Sequence, residues 1–208
     1  ERKFSDVTIK DAILYIKNTE NIWILLMIGF GMMLFWSFPQ PLLPLHSREV
    51  LNIGGSGYAI LSGLYFAGSA IGSLLITFSI IKIRRSKILI ISALLFAIFA
   101  MLIYNSTSPI ICSILILASG VSHSIWWISM LVFIQTITKE SYKGRIVGFY
   151  FSLMVSIALG SILGGLIAEY IGIKLTIYIA MISLIIIHLL ALFSNKFRKL
   201  DLVNQDSY

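Results

Sequence analysis

Long apolar stretches separated by short polar segments dominate the chain. A membrane-spanning helix needs roughly 20 mostly apolar residues, and six stretches approach or exceed that length. They are, in order, about Ile22–Leu45, Gly57–Ile81, Ile88–Tyr104, Pro109–Ile137, Ile146–Ile171 and Ile173–Phe193. The runs are too long for strands and do not alternate, and helices satisfy every backbone group inside lipid. The pattern therefore predicts an all-α membrane protein with six transmembrane helices.

A shorter amphipathic segment, SDVTIKDAILYIKNT at positions 5–19, precedes the first stretch. One helical face carries Ile9, Ala12, Ile13 and Ile16. The segment predicts an amphipathic cytoplasmic helix that either lies on the inner membrane surface or packs on the bundle as a linker, and the two interpretations are compatible.

The chain begins at Glu1 rather than at a methionine, and its first ten residues lack the apolar core of a signal peptide. We therefore expect a piece of a longer chain, with a missing N-terminal part. The predicted organisation is a cytoplasmic linker at 1–21, a six-helix bundle at 22–194 and a cytoplasmic tail at 195–208.

Composition supports a membrane protein and excludes several other classes. Hydrophobic residues make up 58% of the 208 residues and charged residues only 12%, about half of the roughly 25% usual in soluble domains. One core could not bury so much apolar surface. An ordinary soluble enzyme, a disordered protein and a nucleic-acid-binding protein are therefore excluded, and the net charge of +7 indicates cytoplasmic loops instead.

Basic residues are concentrated on one side of the predicted topology. Fourteen of the sixteen lie in the leading segment, the second and fourth loops and the tail. They are Arg2, Lys3, Lys10, Lys17, Lys82, Arg84, Arg85, Lys87, Lys139, Lys143, Arg145, Lys196, Arg198 and Lys199. Only Arg48 and Lys174 fall on the opposite side. Because cytoplasmic loops are rich in Lys and Arg, both termini are predicted to face the cytoplasm of a multi-pass cell-membrane protein.

Small residues recur every four positions in two of the predicted helices. The second helix has Gly68 and Gly72, and the fifth has Gly160 and Gly164. This spacing lets membrane helices approach closely. Two interpretations remain: tight static packing, or a sliding contact between two halves of a transporter.

Three segments resemble the C-terminal six-helix half of a major facilitator superfamily transporter. They are SDVTIKDAILYIKNTENIWIL, PLLPLHSREVLNIGGSGYAILSGLYFAGSAIGSLL and KGRIVGFYFSLMVSIALGSILGGLIAEYIG. The matched positions are Leu43, Pro44, Arg48, Glu49, Val50, Leu51, Gly57, Tyr58, Gly144, Arg145, Val147, Gly148, Gly160, Gly164, Gly165, Ala168, Glu169 and Gly172. The chain looks closest to the drug- and siderophore-exporter branch, the macrolide-efflux and enterobactin-exporter type. It departs from the family in IIKIRRSK, which has neither Asp nor Gly, and in Lys143 before Gly144.

The resemblance implies a non-enzymatic secondary transporter without a cofactor, working by alternating access around a site near the bilayer midplane. Its implied partners are a small lipophilic substrate, protons, the lipid bilayer and a missing N-terminal six-helix half, and no nucleic acid. Proton-coupled efflux of lipophilic drugs or siderophore-like compounds is the favoured activity. The alternatives are an uptake transporter of the same superfamily and a non-transporting six-helix membrane module.

The fourth helix carries candidate substrate-binding residues in SGVSHSIWWISM. His123, Trp126 or Trp127, and Met130 are expected on one helical face. An ionisable side chain deep in a membrane helix is a functional candidate, and histidine's ordinary pKa near 6.5 suits proton exchange. His123 is therefore the candidate proton-coupling residue, with a structural, hydrogen-bonded histidine as the alternative. His188 in the sixth helix is expected to serve packing.

The first helix offers Trp36 and Gln40, four residues apart and therefore on one face. Together with nearby methionines they would form an adaptable surface for bulky apolar ligands. The alternative is a lipid-facing aromatic residue, which is common in membrane proteins. Three prolines after Trp36 either end the helix or make it a bending element. No spacing of Cys or His typical of a metal site is present.

The predicted orientation is testable with single cysteines. After replacement of Cys112, Asn52→Cys should react with an impermeant thiol reagent added to intact cells, whereas Arg85→Cys should not, because the basic loop faces the cytoplasm. Labelling of Arg85→Cys without labelling of Asn52→Cys would reverse the topology.

Overall fold

The structure is a computed structural model that describes residues 8–78 and 85–193. Within these two ranges the chain forms helices and no strand. The helices are α1 (Ile9–Asn18), α2 (Glu20–Trp36), α3 (Leu43–Glu49), α4 (Gly54–Phe78), α5 (Arg85–Asn105), α6 (Pro109–Ile137), α7 (Lys143–Ser152), α8 (Val155–Ile171) and α9 (Ile173–Phe193). A 3₁₀ turn at Glu140–Tyr142 precedes α7. Five or six helical segments are long and apolar enough to cross a membrane, which confirms the all-α membrane class.

The first predicted helix, Ile22–Leu45, is divided in the structure. It ends at Trp36, and a turn connects it to α3. Pro39 and Pro41 lie in that turn, where their missing N–H groups and fixed backbone prevent the helix from continuing. Pro44 lies in the first turn of α3, a position that needs no intrahelical N–H bond. The prolines therefore end α2.

The fifth predicted helix, Ile146–Ile171, is also divided and begins earlier than predicted, at Lys143. At the break the Leu153 N–H bonds the Tyr150 carbonyl at 3.1 Å, and the Met154 N–H bonds the Phe151 carbonyl at 3.0 Å. These are i→i+3 bonds, so the backbone tightens locally into a 3₁₀-like turn. The Leu153 and Met154 amides thus keep partners at the break, as backbone groups within lipid require.

α6 is the central helix of the bundle and packs along α4 and α5, while α2 packs on α8 and α9. The α4–α6 contact depends on glycine. A methyl group added at Gly68 would overlap the Leu117 carbonyl, and one at Gly120 would overlap the Tyr65 carbonyl. Gly72, one turn further on, is equally close to α6. The two backbones therefore touch directly, as small residues permit between membrane helices.

The second glycine stripe lies against α2. A Cβ at Gly160 would overlap the Leu34 carbonyl, and one at Gly164 would lie 2.8 Å from the Phe38 Cα. The structure therefore places both stripes at contacts within this bundle.

The outward faces of α4 and α8 are apolar and uncovered by the described residues. Phe66 and Phe78 of α4 are 70% and 76% exposed, and Ile162 of α8 is 60% exposed. Such continuous apolar faces require lipid or another apolar surface.

The amphipathic helix α1 packs on one end of the bundle. Thr8 and Asp11 form a capping box at its start, and α1 meets α2 at 99°. Tyr15 stacks on Tyr142 with ring centroids 4.2 Å apart, and its hydroxyl accepts the Lys139 N–H at 3.2 Å. Ala12 and Ile16 are buried. The structure thus has the linker helix docked on the bundle and nearly perpendicular to α2.

Part of the predicted topology lies outside the described residues. The predicted second helix ended at Ile81, whereas the described residues stop at Phe78 and resume at Arg85. Seven of the basic residues predicted to face the cytoplasm also lie outside the described ranges: Arg2, Lys3, Lys82, Arg84, Lys196, Arg198 and Lys199. The orientation of the bundle therefore stays a prediction.

We expect Gly68→Ala to lower the unfolding temperature of the full-length protein in detergent. Forcing an extra methyl group between touching backbones costs about 1–3 kcal/mol, or roughly several degrees for a chain of this size. Gly63→Ala is the matched control, because Gly63 lies in the same helix and has open space around it. Equal unfolding temperatures for the two variants would contradict close α4–α6 packing.

Candidate functional site

A cavity of about 250 Å³ lies between the end of α2, α4, α5 and α6. Six aromatic side chains line it, with three polar side chains and several small or aliphatic ones. The aromatic residues are Trp36, Tyr58, Tyr65, Phe66, Phe96 and Tyr104. The polar ones are Gln40, Ser62 and Ser119. No lining side chain carries a formal charge, so the cavity suits an uncharged, ring-containing ligand.

One wall of the cavity is fixed by a hydrogen bond between helices. The Trp36 Nε1–H donates to the Tyr65 hydroxyl at 3.0 Å. The indole has a single donor, so this bond sets the orientation of its ring, and the Tyr65 hydroxyl keeps its own hydrogen for a ligand. The Tyr65 backbone is held in turn by its contact with Gly120.

His123 lies directly behind Trp36. The two rings stack with centroids 4.6 Å apart and 11° between their planes. Tyr65, Phe96 and Trp127 surround the imidazole at 6.0, 5.9 and 6.2 Å. Among the described residues neither ring nitrogen has a hydrogen-bond partner. The imidazole is thus held by ring contacts without a hydrogen bond from the described residues, and it lies behind Trp36 rather than in the lining of the cavity.

Trp126 points elsewhere. It is fully buried, and its Nε1–H donates to the His188 Nε2 at 3.1 Å. Because the indole can only donate, Nε2 accepts and Nδ1 carries the hydrogen. That nitrogen then donates to the Leu184 carbonyl at 2.9 Å. His188 therefore uses both nitrogens and joins α6 to α9.

Of the two tryptophans left open for the face of His123, the structure places Trp127 beside it and Trp126 on His188. With 3.6 residues per turn, about 100° per residue, a residue three positions on is displaced by about 60°, and one four positions on by about 40°. Trp127 therefore approaches His123 more closely. Met130 is fully buried beside Gly29 and Tyr150, and it does not line the cavity.

Of the predicted substrate-binding residues, Trp36 and Gln40 line the cavity. His123 lies behind Trp36 and Trp127 lies beside His123, and neither of them lines the cavity. The sequence analysis missed Tyr65, Phe96 and Tyr104. Tyr65 had a usable signal, because it precedes Gly68 by three residues and shares the face that meets α6. Phe96 and Tyr104 lie in a uniformly apolar helix without such a marker.

The chemistry that this site offers is apolar contact, hydroxyl hydrogen bonding and one titratable imidazole. In residues 8–78 and 85–193, no group of three or more His, Cys, Asp or Glu side chains is placed to hold a metal ion.

Comparison with known proteins adds one match at the level of families. No curated protein matches the chain significantly. The sequence model of the Major Facilitator Superfamily matches residues 25–204, which is most of the chain and includes all the helices of the bundle from α2 to α9 except the first turns of α2. Together with the helices able to span a membrane, this match shows that the chain belongs to the Major Facilitator Superfamily and is part of a multi-pass membrane transporter.

Proposed function

We propose that this chain is the C-terminal half of a proton-coupled exporter of lipophilic, drug-like or siderophore-like compounds in the cell membrane, with both termini cytoplasmic. The observation that carries the proposal is the uncharged aromatic cavity with His123 against its wall. Transport would follow alternating access, with two bundles moving around a shared site.

The cavity supports a lipophilic substrate. Aromatic faces provide large apolar contact areas, and offset or edge contacts between rings add about 0.5–1.5 kcal/mol each. A charged group entering the cavity would find no opposite charge among its lining residues, and burial of an unpaired charge is costly. The part of the substrate that enters this half is therefore uncharged.

The contrast between two histidines supports the assignment of proton coupling to His123. His188 uses one nitrogen as an acceptor from Trp126 and the other toward Leu184, so protonation would break an internal bond. His123 makes ring contacts only, within the described residues. It can take up a proton without losing a hydrogen bond, and it does so beside the substrate cavity.

The exposed apolar faces of α4 and α8 support the proposal of a second helical bundle, because such faces need an apolar surface to cover them. In the proposed arrangement these apolar faces contact lipid and the preceding half of the chain, and the cavity is the part of the bundle that binds substrate.

We expect His123→Gln to change the pH dependence of efflux while the protein remains folded, because glutamine still forms hydrogen bonds but does not titrate. The measurement is the efflux rate of a panel of dyes and macrolides against pH, using the full-length protein. His188→Leu is the control: it leaves the Trp126 N–H unpaired, which costs about 1–3 kcal/mol, yet it should keep the native shape of the pH profile.

Superimposable pH profiles for the native and His123→Gln proteins would assign the coupling group elsewhere. Absence of efflux for every compound tested, with the native protein correctly inserted, would contradict export.

A second prediction concerns Trp36. Trp36→Phe keeps an aromatic ring over His123 but removes the donor to Tyr65, so the wall loses about 1 kcal/mol of hydrogen bonding. We expect the KM for efflux to rise about fivefold, and Trp36→Leu to have a larger effect. Trp23→Phe is the control, since Trp23 lies on the same helix, is 49% exposed and does not line this cavity. Equal effects of Trp36→Phe and Trp23→Phe would remove Trp36 from the site.

A further inference from the structure

A second histidine lies behind another part of the cavity wall, against Tyr104. His46, on α3, is 1% exposed, and its Nε2 has no hydrogen-bond partner among the described residues. The hydroxyl of its neighbour Ser47 is likewise buried without a partner. A buried polar atom without a partner costs about 1–3 kcal/mol, so α3 is held in place with polar groups left unsatisfied.

His46 is connected to the cavity through one side chain. Its ring contacts the Tyr104 ring, with centroids 5.0 Å apart. The Tyr104 hydroxyl donates to the Pro39 carbonyl at 2.7 Å. Both Tyr104 and Pro39 line the cavity. Any movement of His46 away from α5 would therefore act on the tyrosine that joins the α2–α3 turn to α5.

We propose that His46 is a positioning residue through which acidification releases α3 from α5 and opens the wall of the cavity formed by Tyr104 and Pro39. The proposal rests on the transport function proposed above, because it gives the same cavity a pH-dependent exit.

The charges around His46 favour this behaviour. The titratable side chains on the surrounding elements are Tyr58 of α4, Tyr104 of α5, Cys112 of α6, and Lys174 and Tyr178 of α9. On α3 itself, Arg48 and Glu49 are exposed. None of the neighbours on other helices is a carboxylate, and Lys174 acts against a positive charge on the ring. A proton on His46 would therefore be a buried charge without an opposite partner, which packing does not tolerate.

The direction of the pH effect follows from the pKa of His46. Burial, with a smaller contribution from Lys174, lowers this pKa below the ordinary 6.5, although the backbone at Ile103 and Ser106 acts in the opposite direction. The neutral ring therefore stabilises the closed packing of α3. That contribution is fully present above about pH 6.5 and is lost as the pH falls through the lowered pKa.

Cys112 provides a native reporter for the opening. It is fully buried on α6 and lies near Tyr104, so release of the tyrosine wall would expose it. The probe is N-ethylmaleimide, which crosses membranes and therefore does not depend on the orientation of the protein. The full-length protein is treated between about pH 8 and pH 5.5, and modification of the Cys112 peptide is quantified by mass spectrometry.

The native protein is compared with His46→Gln at each pH, because the ratio of their rates cancels the pH dependence of the thiol itself. We expect a ratio near one at about pH 8. At pH values below the pKa of His46 in the folded protein, the labelling rate of the native protein should exceed that of His46→Gln. The excess should be about tenfold for each pH unit by which folding lowers that pKa. A ratio that stays constant over the whole range would overturn the inference.

Lys174→Gln provides a second variant at an exposed position. Removal of this positive charge should shift the midpoint of the Cys112 exposure toward higher pH, because the pKa of His46 would rise. A structural role for His46 alone would not produce that shift. A midpoint unchanged in Lys174→Gln, together with a transition that persists in His46→Gln, would contradict the proposal.

These measurements need no transport. A flat labelling ratio together with normal efflux would reject the role of His46 and leave the exporter assignment intact. A rising ratio in a protein that exports none of the dyes and macrolides would support the pH-dependent wall and reject the proposed substrates.

Discussion

The direct backbone contact between α4 and α6 determines the position of most other groups in the site. Inside lipid no hydrophobic effect drives helices together, so association depends on close packing. Gly120 touches the Tyr65 carbonyl, which places the Tyr65 hydroxyl within reach of Trp36. One turn after Gly120, His123 is thereby held against the same indole. The glycine contact thus orders a donor, an acceptor and a titratable ring along one wall.

The two histidines inside the membrane helices differ in how they are held in place. His188 is satisfied at both nitrogens and joins two helices, whereas His123 is positioned by aromatic faces. Ring contacts fix the plane of an imidazole without occupying its nitrogens. A group held in this way can be placed accurately and still exchange a proton, which is the property that a coupling residue in a transporter requires.

The sequence predicted the fold class and four of the six spans as single helices, because the length of an apolar run is a local signal. It left open whether the prolines after Trp36 end the helix or bend it, and it did not predict the break at Ser152, where a continuous apolar run conceals the change in backbone. In the site, His123 and Trp36 were recognisable as polar or aromatic residues in an apolar context. The sequence left Trp126 and Trp127 as alternatives for the face of His123, because adjacent residues differ by only 100° and their partners lie on distant helices; in the structure Trp127 is the one that contacts His123.

The end of α2 also explains how a cavity without charges can respond to protons. Because Pro39 cannot donate a backbone bond, the chain turns there, and its carbonyl becomes an acceptor for Tyr104. The turn carries α3 back over the end of the bundle and brings His46 behind that tyrosine. One imidazole therefore backs the indole wall and another backs the tyrosine wall, while the cavity between them stays neutral. In the proposed function, protonation at either wall would change the packing around a ligand without placing a charge in the cavity lining, so an apolar substrate and a proton would act on one site through different atoms.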